Sequence, residues 1–226
     1  MYLRDKSIFP PALEADENGF VAFSRDLDCE MLKDAYAHGI FPWPFGEGEE
    51  FIPWVSPLRR GVLFMEEFHV HRSWLRELKK SRFTFKVDTA FEEVVEGCAH
   101  AVRPGQEGTW ITGRMKEVYA EFHRMGYAHS FEAFDENGCL AGGSYGVSVG
   151  RIFCGESMFY RVSGASRFAF IRMVGLLKDA GVRLIDTQMV TNATAAFGAR
   201  EIANTEYLKL LDEYGGPPRD FRMAAG

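Results

Sequence analysis

The sequence predicts a mixed α/β (α+β) fold in which a small, loop-rich N-terminal domain precedes a larger domain of helices and antiparallel strands. The N-terminal part is rich in Pro, Gly and aromatic residues, as in "GIFPWPFGEGEEFIPWVSP". Beyond it, helical periodicity gives way to a run of alternating apolar residues with turn signals, followed by helix, strand and helix. We therefore expect domains at residues 1–60 and 61–226.

Composition narrows the class of protein. The chain has 226 residues, 46% hydrophobic and 14% aromatic, which is enough for a sizeable core. The net charge of -6 excludes a uniformly basic surface, although a local basic patch would suffice for phosphate contacts. The first residues carry acids where a signal peptide needs an apolar run, and no apolar segment is long enough to cross a membrane. We expect a cytoplasmic protein that does not bind membranes.

Cysteine usage agrees with that compartment. The four cysteines form no CxxC pair, which favours free thiols in a reducing environment over a disulfide framework. They are Cys29, Cys98, Cys139 and Cys154.

Four helices are expected before the main run of strands. The first, "DCEMLKDAYAHG", has Asp28 as N-cap and Gly39 as C-cap. The next two are "HRSWLRELKKS" and "DTAFEEVVEGCAH", the latter with Asp88 as N-cap. The fourth, "TGRMKEVYAEFHRMG", runs from Thr112 as N-cap to Gly126 as C-cap. Its apolar face is predicted to comprise Met115, Val118, Tyr119, Phe122 and Met125.

Strands follow at "AHSFEAFD", "CLAGGSYGVSVG" and "RIFCGESMFYR", and Asn137-Gly138 between the first two is a strong hairpin signal. A helix is expected from about Ala165 to Ala180, then a strand "VRLIDTQMV" and a last helix at "NTEYLKLLDEY". Two helices, an antiparallel meander, a helix and a further strand are typical of an acetyltransferase-like (GNAT-like) fold. We expect that fold for the larger domain.

Two polar side chains in "LIDTQMV" are candidates for chemistry. Alternate residues of a strand share a face, so Asp186 and Gln188 should point the same way. Together they could accept hydrogen bonds from an amine, and the Asp could hold a proton. The pattern alone favours an ordinary role for both residues in capping a neighbouring turn.

Glu156 is a single acid among apolar residues, which is costly unless a charged or hydrogen-bonding partner meets it. Strand alternation predicts that it shares a face with Cys154 and Met158. It could bind a cation or an amine. A buried ion pair with Arg161 is about as compatible with the spacing.

The stretch "RVSGASR" suggests a second activity. Acyl-CoA transferases of the acetyltransferase-like fold carry R/Q-x-x-G-x-G/A where a strand enters a helix, so that backbone amides hold a pyrophosphate. Arg161 and Gly164 match that pattern, whereas Ser166 does not. An acyl-CoA-dependent N-acyltransferase is therefore an alternative, and a plain helix-entry turn is the simpler interpretation.

Other residues suggest contacts with nucleic acid. Trp110 in "GTWIT" could stack on a nucleobase, although a core Trp is more frequent. The segment "HRSWLRELKKSR" could follow a phosphate backbone, although such a charge run is usually a solvated helix face. Its cations are Arg72, Arg76, Lys79, Lys80 and Arg82. His69 and His71 have no Cys or carboxylate at ligand spacing, so no metal site is expected.

Several strings together resemble the leucyl/phenylalanyl-tRNA–protein transferase family. In family order from residue 9 to about residue 210 they are "FPP", "AYAHGIFPW", "WVSP", "FHVHRS", "GTWIT", "GYAHSFE", "GGSYGVSVGRIFCGESMF", "ASR", "LIDTQ" and "FGAREI". The resemblance implies an acetyltransferase-like C-terminal domain. It also implies transfer of Leu, Phe or Met from aminoacyl-tRNA to an N-terminal Arg or Lys, which marks the acceptor protein for degradation.

The resemblance also implies roles for residues. Gln188 would accept a hydrogen bond from the attacking amine, Asp186 would polarise Gln188 or receive the proton, and Glu156 would face the basic N-terminus. Trp110 would stack on the terminal adenine of the tRNA. The implied pocket for the transferred side chain comprises Phe153, Met158, Phe170, Leu177 and Ile185. Because Ile185 alternates with Asp186, it can reach that pocket only if strands splay or bulge nearby.

The tRNA ester is already activated, so the reaction needs no ATP, metal or CoA, and no cofactor is expected. What the protein must supply is alignment and help with one proton. The tRNA contacts should be mostly to its backbone and terminal adenosine, which leaves specificity to the amino-acid pocket.

Several positions depart from the family's usual residues. They are Gly164-Ala165-Ser166-Arg167 for "NASK", Thr187 for Cys, Ala193 for His, Ala196-Phe197 for Ser-Leu, Val55 for the second Trp, Ser24-Arg25 for Gly-Gly, and Ser144 for a pocket Met. Because the proposed reactive residues are present, we expect the activity, with the preferred amino acid open. A third alternative is a homologue that binds tRNA or basic N-termini without catalysis.

Overall fold

The computed structural model describes residues 7–44, 50–101, 109 and 111–221. The N-terminal part contains a short 3-10 helix Ala12–Glu14, β1 Phe20–Ser24, α1 Cys29–Ala37, β2 Phe41–Pro42 and β3 Ile52–Val55. There follow β4 Arg59–Phe64, α2 Arg72–Lys80, β5 Thr84–Val87, α3 Phe91–Ala99 and α4 Gly113–Arg124. The remainder comprises β6 Ala128–Phe134, β7 Leu140–Val149, β8 Ile152–Tyr160, α5 Ala165–Asp179, β9 Leu184–Gln188, α6 Asn192–Ala195, β10 Arg200–Ala203 and α7 Asn204–Tyr214.

The strands form two sheets, so the mixed α/β class is confirmed. A three-stranded antiparallel sheet has the order β1-β3-β2. A seven-stranded sheet has the order β10-β4-β9-β8-β7-β6-β5, in which only β8 and β9 run parallel. The predicted meander is therefore present as β6, β7 and β8, and β9 returns beside β8 after the crossover helix α5.

Local signals placed several element ends correctly. The Asp28 carboxylate accepts a hydrogen bond from the backbone amide of Met31 at 2.7 Å, as an N-cap of α1 should. Thr112 caps α4 in the same way. The predicted hairpin closes at Gly138, whose φ of 76° is the left-handed conformation that glycine adopts without strain. Met125 follows the last residue of α4 and is 44% exposed, so its predicted place on the apolar face is wrong.

The N-cap predicted at Asp88 is wrong. Helix α3 begins at Phe91, and the Asp88 carboxylate instead accepts a hydrogen bond from the backbone amide of Ser130 in β6 at 2.8 Å. At the start of α3, the backbone amide of Ala90 donates a hydrogen bond at 3.3 Å to the carboxylate of Glu132, which is also in β6. Burial raises the pKa of Glu132. A carboxylate brought in by a neighbouring strand thus replaces the local cap.

The core lies on both faces of the larger sheet. One face packs against α1, α3, α4 and α7 in a cluster that includes Leu32, Val94 and Tyr119. The other face packs against α5 in a cluster that includes Met173 and Leu177. Because Leu32 belongs to the N-terminal part, that part shares a continuous core with the rest of the chain. All four cysteines are free, as predicted.

A bulge in β8 decides where the central carboxylate lies. Tyr145 of β7 pairs with Ser157, but the next residue, Gly146, pairs with Gly155, so Glu156 is the extra residue. A bulge reverses the alternation of side chains beyond it. Cys154 therefore packs on one face and Met158 on the other, and the prediction that they share a face is wrong.

The parallel register of β8 and β9 runs from Ile152↔Leu184 to Cys154↔Asp186. Strand β8 continues to Tyr160. The bulge therefore follows directly after the last paired residues of these two strands.

Among the residues that the structure describes, no helix is both long enough and apolar enough to cross a membrane.

Candidate active site

Asp186 sits on the central strand β9, between β4 and β8, and is fully buried. Arg60 of β4 donates two hydrogen bonds to its carboxylate, from Nε at 2.9 Å and from Nη2 at 2.6 Å. The Tyr207 hydroxyl of α7 donates a third at 2.8 Å, and the backbone amide of Gln188 a fourth at 2.9 Å. These four donors fix the position and orientation of the Asp186 carboxylate.

Arg60 is 1% exposed and is enclosed on several sides. Its guanidinium carbon lies 4.6 Å from the ring centre of Phe41 and 4.3 Å from that of Tyr207. Its Nη1 donates to the Gly39 carbonyl at 3.0 Å, next to the end of α1. Although burial alone would lower the pKa of Arg60, the Asp186 carboxylate raises it above its ordinary value. Arg60 therefore ties the N-terminal part to the centre of the larger sheet as a permanent cation.

Glu156 lies in the bulge and keeps partial solvent exposure. The side-chain amide of Gln188 donates to one carboxylate oxygen at 3.2 Å, and the Tyr119 hydroxyl donates to the other at 3.3 Å. The Tyr119 hydroxyl is in turn 2.5 Å from that of Tyr36. Burial raises the pKa of Glu156 to about 7, although hydrogen bonds from the tyrosines oppose the shift. Near neutral pH this carboxyl group can therefore both accept and release a proton.

The two tyrosines complete a polar chain that runs from the sheet to α1 and α4. Burial, followed by the nearby Glu156 carboxylate, raises the pKa of both Tyr36 and Tyr119 well above the ordinary value. Both hydroxyls therefore remain protonated at neutral pH. They can orient Glu156 but cannot take its proton.

Gln188 has a φ of 54°, a left-handed conformation that is uncommon outside glycine. The bond from its backbone amide to Asp186 helps to hold this conformation. Its side-chain amide nitrogen is bonded to Glu156 and not to Asp186, which revises the expectation that Asp186 polarises that amide directly. An amide that donates through nitrogen still offers its carbonyl oxygen as an acceptor, the role an attacking amine requires.

The residues expected to form an apolar pocket lie together on the α5 face. They are Phe153, Met158, Phe170, Leu177 and Ile185, all in or against one cluster. Phe153 pairs directly with Ile185 across the parallel strands, so both point to the face opposite Asp186. The Ser144 hydroxyl lies 3.6 Å from the Met173 sulfur at the same cluster. Ile185 joins this cluster through its direct pairing with Phe153, and the bulge at Glu156 lies beyond that pair.

The expected tRNA contacts divide into three groups. Arg72, Arg76, Lys79 and Lys80 lie exposed on α2. Arg82 lies after the helix and pairs with Glu136 at 2.7 Å. Trp110 falls outside the described residues.

The Arg161 guanidinium donates to the Leu140 carbonyl at 3.2 Å and lies 5.4 Å from the Phe159 ring. The hydrogen-bond partners of Glu156 are Gln188 and Tyr119, so the alternative of an ion pair with Arg161 is wrong. Among the described residues, no group of three or more His, Cys, Asp or Glu side chains could hold a metal ion.

Sequence reasoning missed Arg60, Tyr207 and Tyr36. The available signal was the pair of arginines that begins the apolar strand "RRGVLF", since one of two adjacent strand residues must face inward. A buried cation needs a buried anion. Tyr119 was assigned only to an apolar helix face, although its hydroxyl needs a partner when buried.

The chain is similar to known proteins along most of its length. The family described as leucyl/phenylalanyl-tRNA protein transferase matches residues 62–212, and the N-terminal domain of that family matches residues 25–58. A leucyl/phenylalanyl-tRNA–protein transferase of Anaeromyxobacter sp. (strain K) is 48% identical over 203 residues, covering 90% of this chain and 86% of that protein. One from Chromobacterium violaceum is 44% identical over 224 residues, covering 98% and 94%.

Among solved structures, FemX is similar with a TM-score of 0.49 and 12% identity, covering 79% of this chain and 70% of that chain. A likeness at that distance supports no statement about function. The family match covers well over half of the chain, and the relatives align along nearly all of it. The chain therefore belongs to the leucyl/phenylalanyl-tRNA–protein transferase family.

Proposed function

We propose that this aminoacyltransferase takes Leu, Phe or Met from aminoacyl-tRNA and joins it to the α-amino group of a protein that begins with Arg or Lys. Family membership supports the class of enzyme and the use of a charged tRNA and a protein acceptor. The observation that supports a working site is the hydrogen bond between Gln188 and Glu156, beside an Asp186 that Arg60 holds in place. The new peptide bond would mark the acceptor protein for degradation in the cytoplasm.

The reaction moves one proton from nitrogen to oxygen. The free α-amine attacks the ester carbonyl, a C–N bond forms, and the ester C–O bond breaks to release the ribose hydroxyl. The protonated α-amine, with an ordinary pKa of about 7.7–8.0, must first lose one proton to become the neutral nucleophile. The neutral amine then loses a second proton as the C–N bond forms, and this is the proton that moves to oxygen. Glu156 has its pKa raised to about 7, which is close to the match that general-base catalysis favours.

We therefore assign to Glu156 the transfer of this proton, which it takes from the amine nitrogen and returns to the leaving ribose oxygen. Asp186 has a supporting role. Each oxygen of the buried Asp186 carboxylate already accepts two hydrogen bonds, from Arg60 and Gln188 on one and from Arg60 and Tyr207 on the other, which leaves it poorly placed to receive the amine's proton. Its contribution is to fix the backbone of Gln188. Gln188 then presents its carbonyl oxygen to the amine while its nitrogen holds Glu156.

The donor would lie across β8 and β9. The transferred side chain would enter the apolar cluster on the α5 face, and Trp110 would stack on the terminal adenine. Ser144, where a larger Met is usual, should leave more space in that pocket. The acceptor's Arg or Lys would be recognised by the ionised fraction of Glu156.

The exposed cations of α2 would contact the tRNA backbone. Removing one cation that neutralises a phosphate should reduce the slope of log affinity against log salt by about 0.9. Replacing Lys79 and Lys80 together by Ala should therefore weaken binding and flatten the slope by up to about 2. Unchanged affinity and slope would refute this placement.

We also propose an acetyltransferase-like fold for the larger domain and a division of the chain into two domains. The order of β6, β7, β8, α5 and a parallel β9 supports an acetyltransferase-like domain at residues 61–226, with residues 1–60 as the smaller domain. The pairing of β8 and β9 ends at Cys154 and Asp186, and such a fold would bind its donor beyond that point.

The test is transfer of labelled amino acid from Leu-, Phe- and Met-tRNA to a peptide beginning with Arg. Glu156→Gln should lose most of the rate, whereas Glu93→Gln, which changes an exposed acid on α3, serves as the matched control. Failure of all donors with tRNA still bound would indicate an inactive binding protein. A calorimetric signal with CoA would indicate the acyl-CoA activity instead.

A further inference from the structure

A groove with a volume of about 560 Å³ lies between α2 and the start of α5. Glu156, Asp186 and Gln188 do not line it. Its walls combine the aromatic rings of Trp74, Phe83 and Phe168 with charged side chains. The charged residues are the cations Lys80 and Arg167 and the acid Glu77. The groove is therefore separate from the candidate active site, and its lining indicates what it can hold.

Flat surfaces dominate one wall. The Arg167 guanidinium carbon lies 4.3 Å from the ring centre of Trp74, and Arg167 is held there by an ion pair with Glu77 at 2.7 Å. Both ionic side chains are substantially exposed, at 38% for Arg167 and 64% for Glu77. An indole beside a guanidinium is the kind of surface on which unpaired bases stack.

The groove is connected to the proposed amino-acid pocket by aromatic contacts. The rings of Trp74 and Phe197 have centres 5.1 Å apart, and those of Phe197 and Phe170 are 4.8 Å apart. Phe170 is one of the residues assigned to the pocket. The ring of Phe197 is therefore the one link between Trp74 and the proposed position of the transferred side chain at Phe170.

Charge on α2 favours a polyanion. Within the described ranges, Arg72, Arg76, Lys79 and Lys80 take part in no ion pair, in a chain of net charge -6. Arg72, Arg76 and Lys79 do not line the groove, whereas Lys80 does. Arg72, Arg76 and Lys80 are each four residues apart, so they lie along one face of α2. That row of cations ends at the groove, where Lys80 forms part of the lining.

We propose that this groove holds the unpaired nucleotides of the tRNA 3′ end that precede the terminal adenosine. Trp74 and Arg167 stack on the bases, and Lys80 contacts the phosphates. The inference rests on the proposed function, because it takes charged tRNA as the donor. Because Arg167 is paired with Glu77, the unpaired charge among the described lining residues is Lys80, which would repel an acceptor that begins with Arg or Lys and attract a phosphate.

The test compares the binding of two RNA hairpins that differ only in a single-stranded 3′ ACCA overhang. Wild-type protein should bind the overhang hairpin about five- to 150-fold more tightly, the range of one stacked base. Trp74→Leu and Arg167→Gln should each remove most of that preference, and Trp74→Phe should restore it. Arg124→Gln on α4, outside the groove, is the matched control.

An equal preference for the overhang in all variants would overturn the proposal, as would no preference in the wild type. The proposal would also be overturned if a peptide beginning with Arg competed with the overhang hairpin and reduced its apparent affinity to that of the blunt hairpin. Since binding is measured without chemistry, an overhang preference without transfer would support the groove and refute the proposed function. Transfer without an overhang preference would refute the groove and support the proposed function.

Discussion

Replacing Arg60 tests how Asp186 is held. The Arg60→Met variant keeps the long apolar stem but removes the guanidinium that donates to Asp186 at 2.9 and 2.6 Å. Both side chains are at most 1% exposed, so water does not replace the missing donors. Breaking a buried pair on one side costs about 3–5 kcal/mol. For a domain of ordinary stability, about 5–15 kcal/mol, this is a large fraction of the total.

Urea denaturation measures this cost. The midpoint should fall at nearly constant m value, and transfer activity should fall with it because the backbone of Gln188 loses its support. The adjacent Arg59→Met is the matched control, since Arg59 is 63% exposed and its partner Glu201 lies 3.4 Å away. That exposed pair should contribute less than about 1 kcal/mol.

A double-mutant cycle makes the prediction refutable. Adding Asp186→Asn to Arg60→Met removes the unbalanced buried charge, so the double variant should be clearly more stable than the sum of the two single effects predicts. Additive effects, or a loss for Arg60→Met no larger than that for Arg59→Met, would refute the account of this ion pair.

Three further predictions concern the surroundings of the site. Tyr119→Phe removes a donor to the Glu156 carboxylate and should raise the pKa of that group further, seen as an upward shift of its titration by NMR. Gly97→Ala should destabilise the protein by about 1–3 kcal/mol in urea melts, because a Cβ there would lie 2.5 Å from the Phe159 ring. Ser144→Met should fill part of the apolar pocket and reduce transfer of Phe more than transfer of Leu, measured with both charged tRNAs.

Helix ends that depend only on neighbouring residues were predicted correctly from the sequence. Asp28 and Thr112 cap their helices because the sequence that follows each is helical. The cap predicted at Asp88 was wrong because the backbone amide at the start of α3 donates instead to Glu132, a buried carboxylate on β6. The family was identified correctly from short strings of residues, and the comparisons confirm it.

The interior of the site depended on long-range pairing. Arg60 meets Asp186 only because β4 pairs antiparallel with β9, a register that neither strand's sequence reveals. The bulge at Glu156 had a signal in Gly155, since glycine inside a strand often marks one. Missing it produced the wrong prediction that Cys154 and Met158 share a face. The catalytic roles themselves stay predictions until activity is measured.

The pH dependence of kcat/KM for transfer to a peptide beginning with Arg tests the central claim most directly, namely that Glu156 takes the proton of the attacking amine. Below neutral pH both Glu156, with its pKa near 7, and the amine must lose a proton, so the logarithmic slope of the wild type should approach about two. Glu156→Gln should be much slower, with a slope near one from the amine alone. Equal slopes in the two proteins would contradict the account.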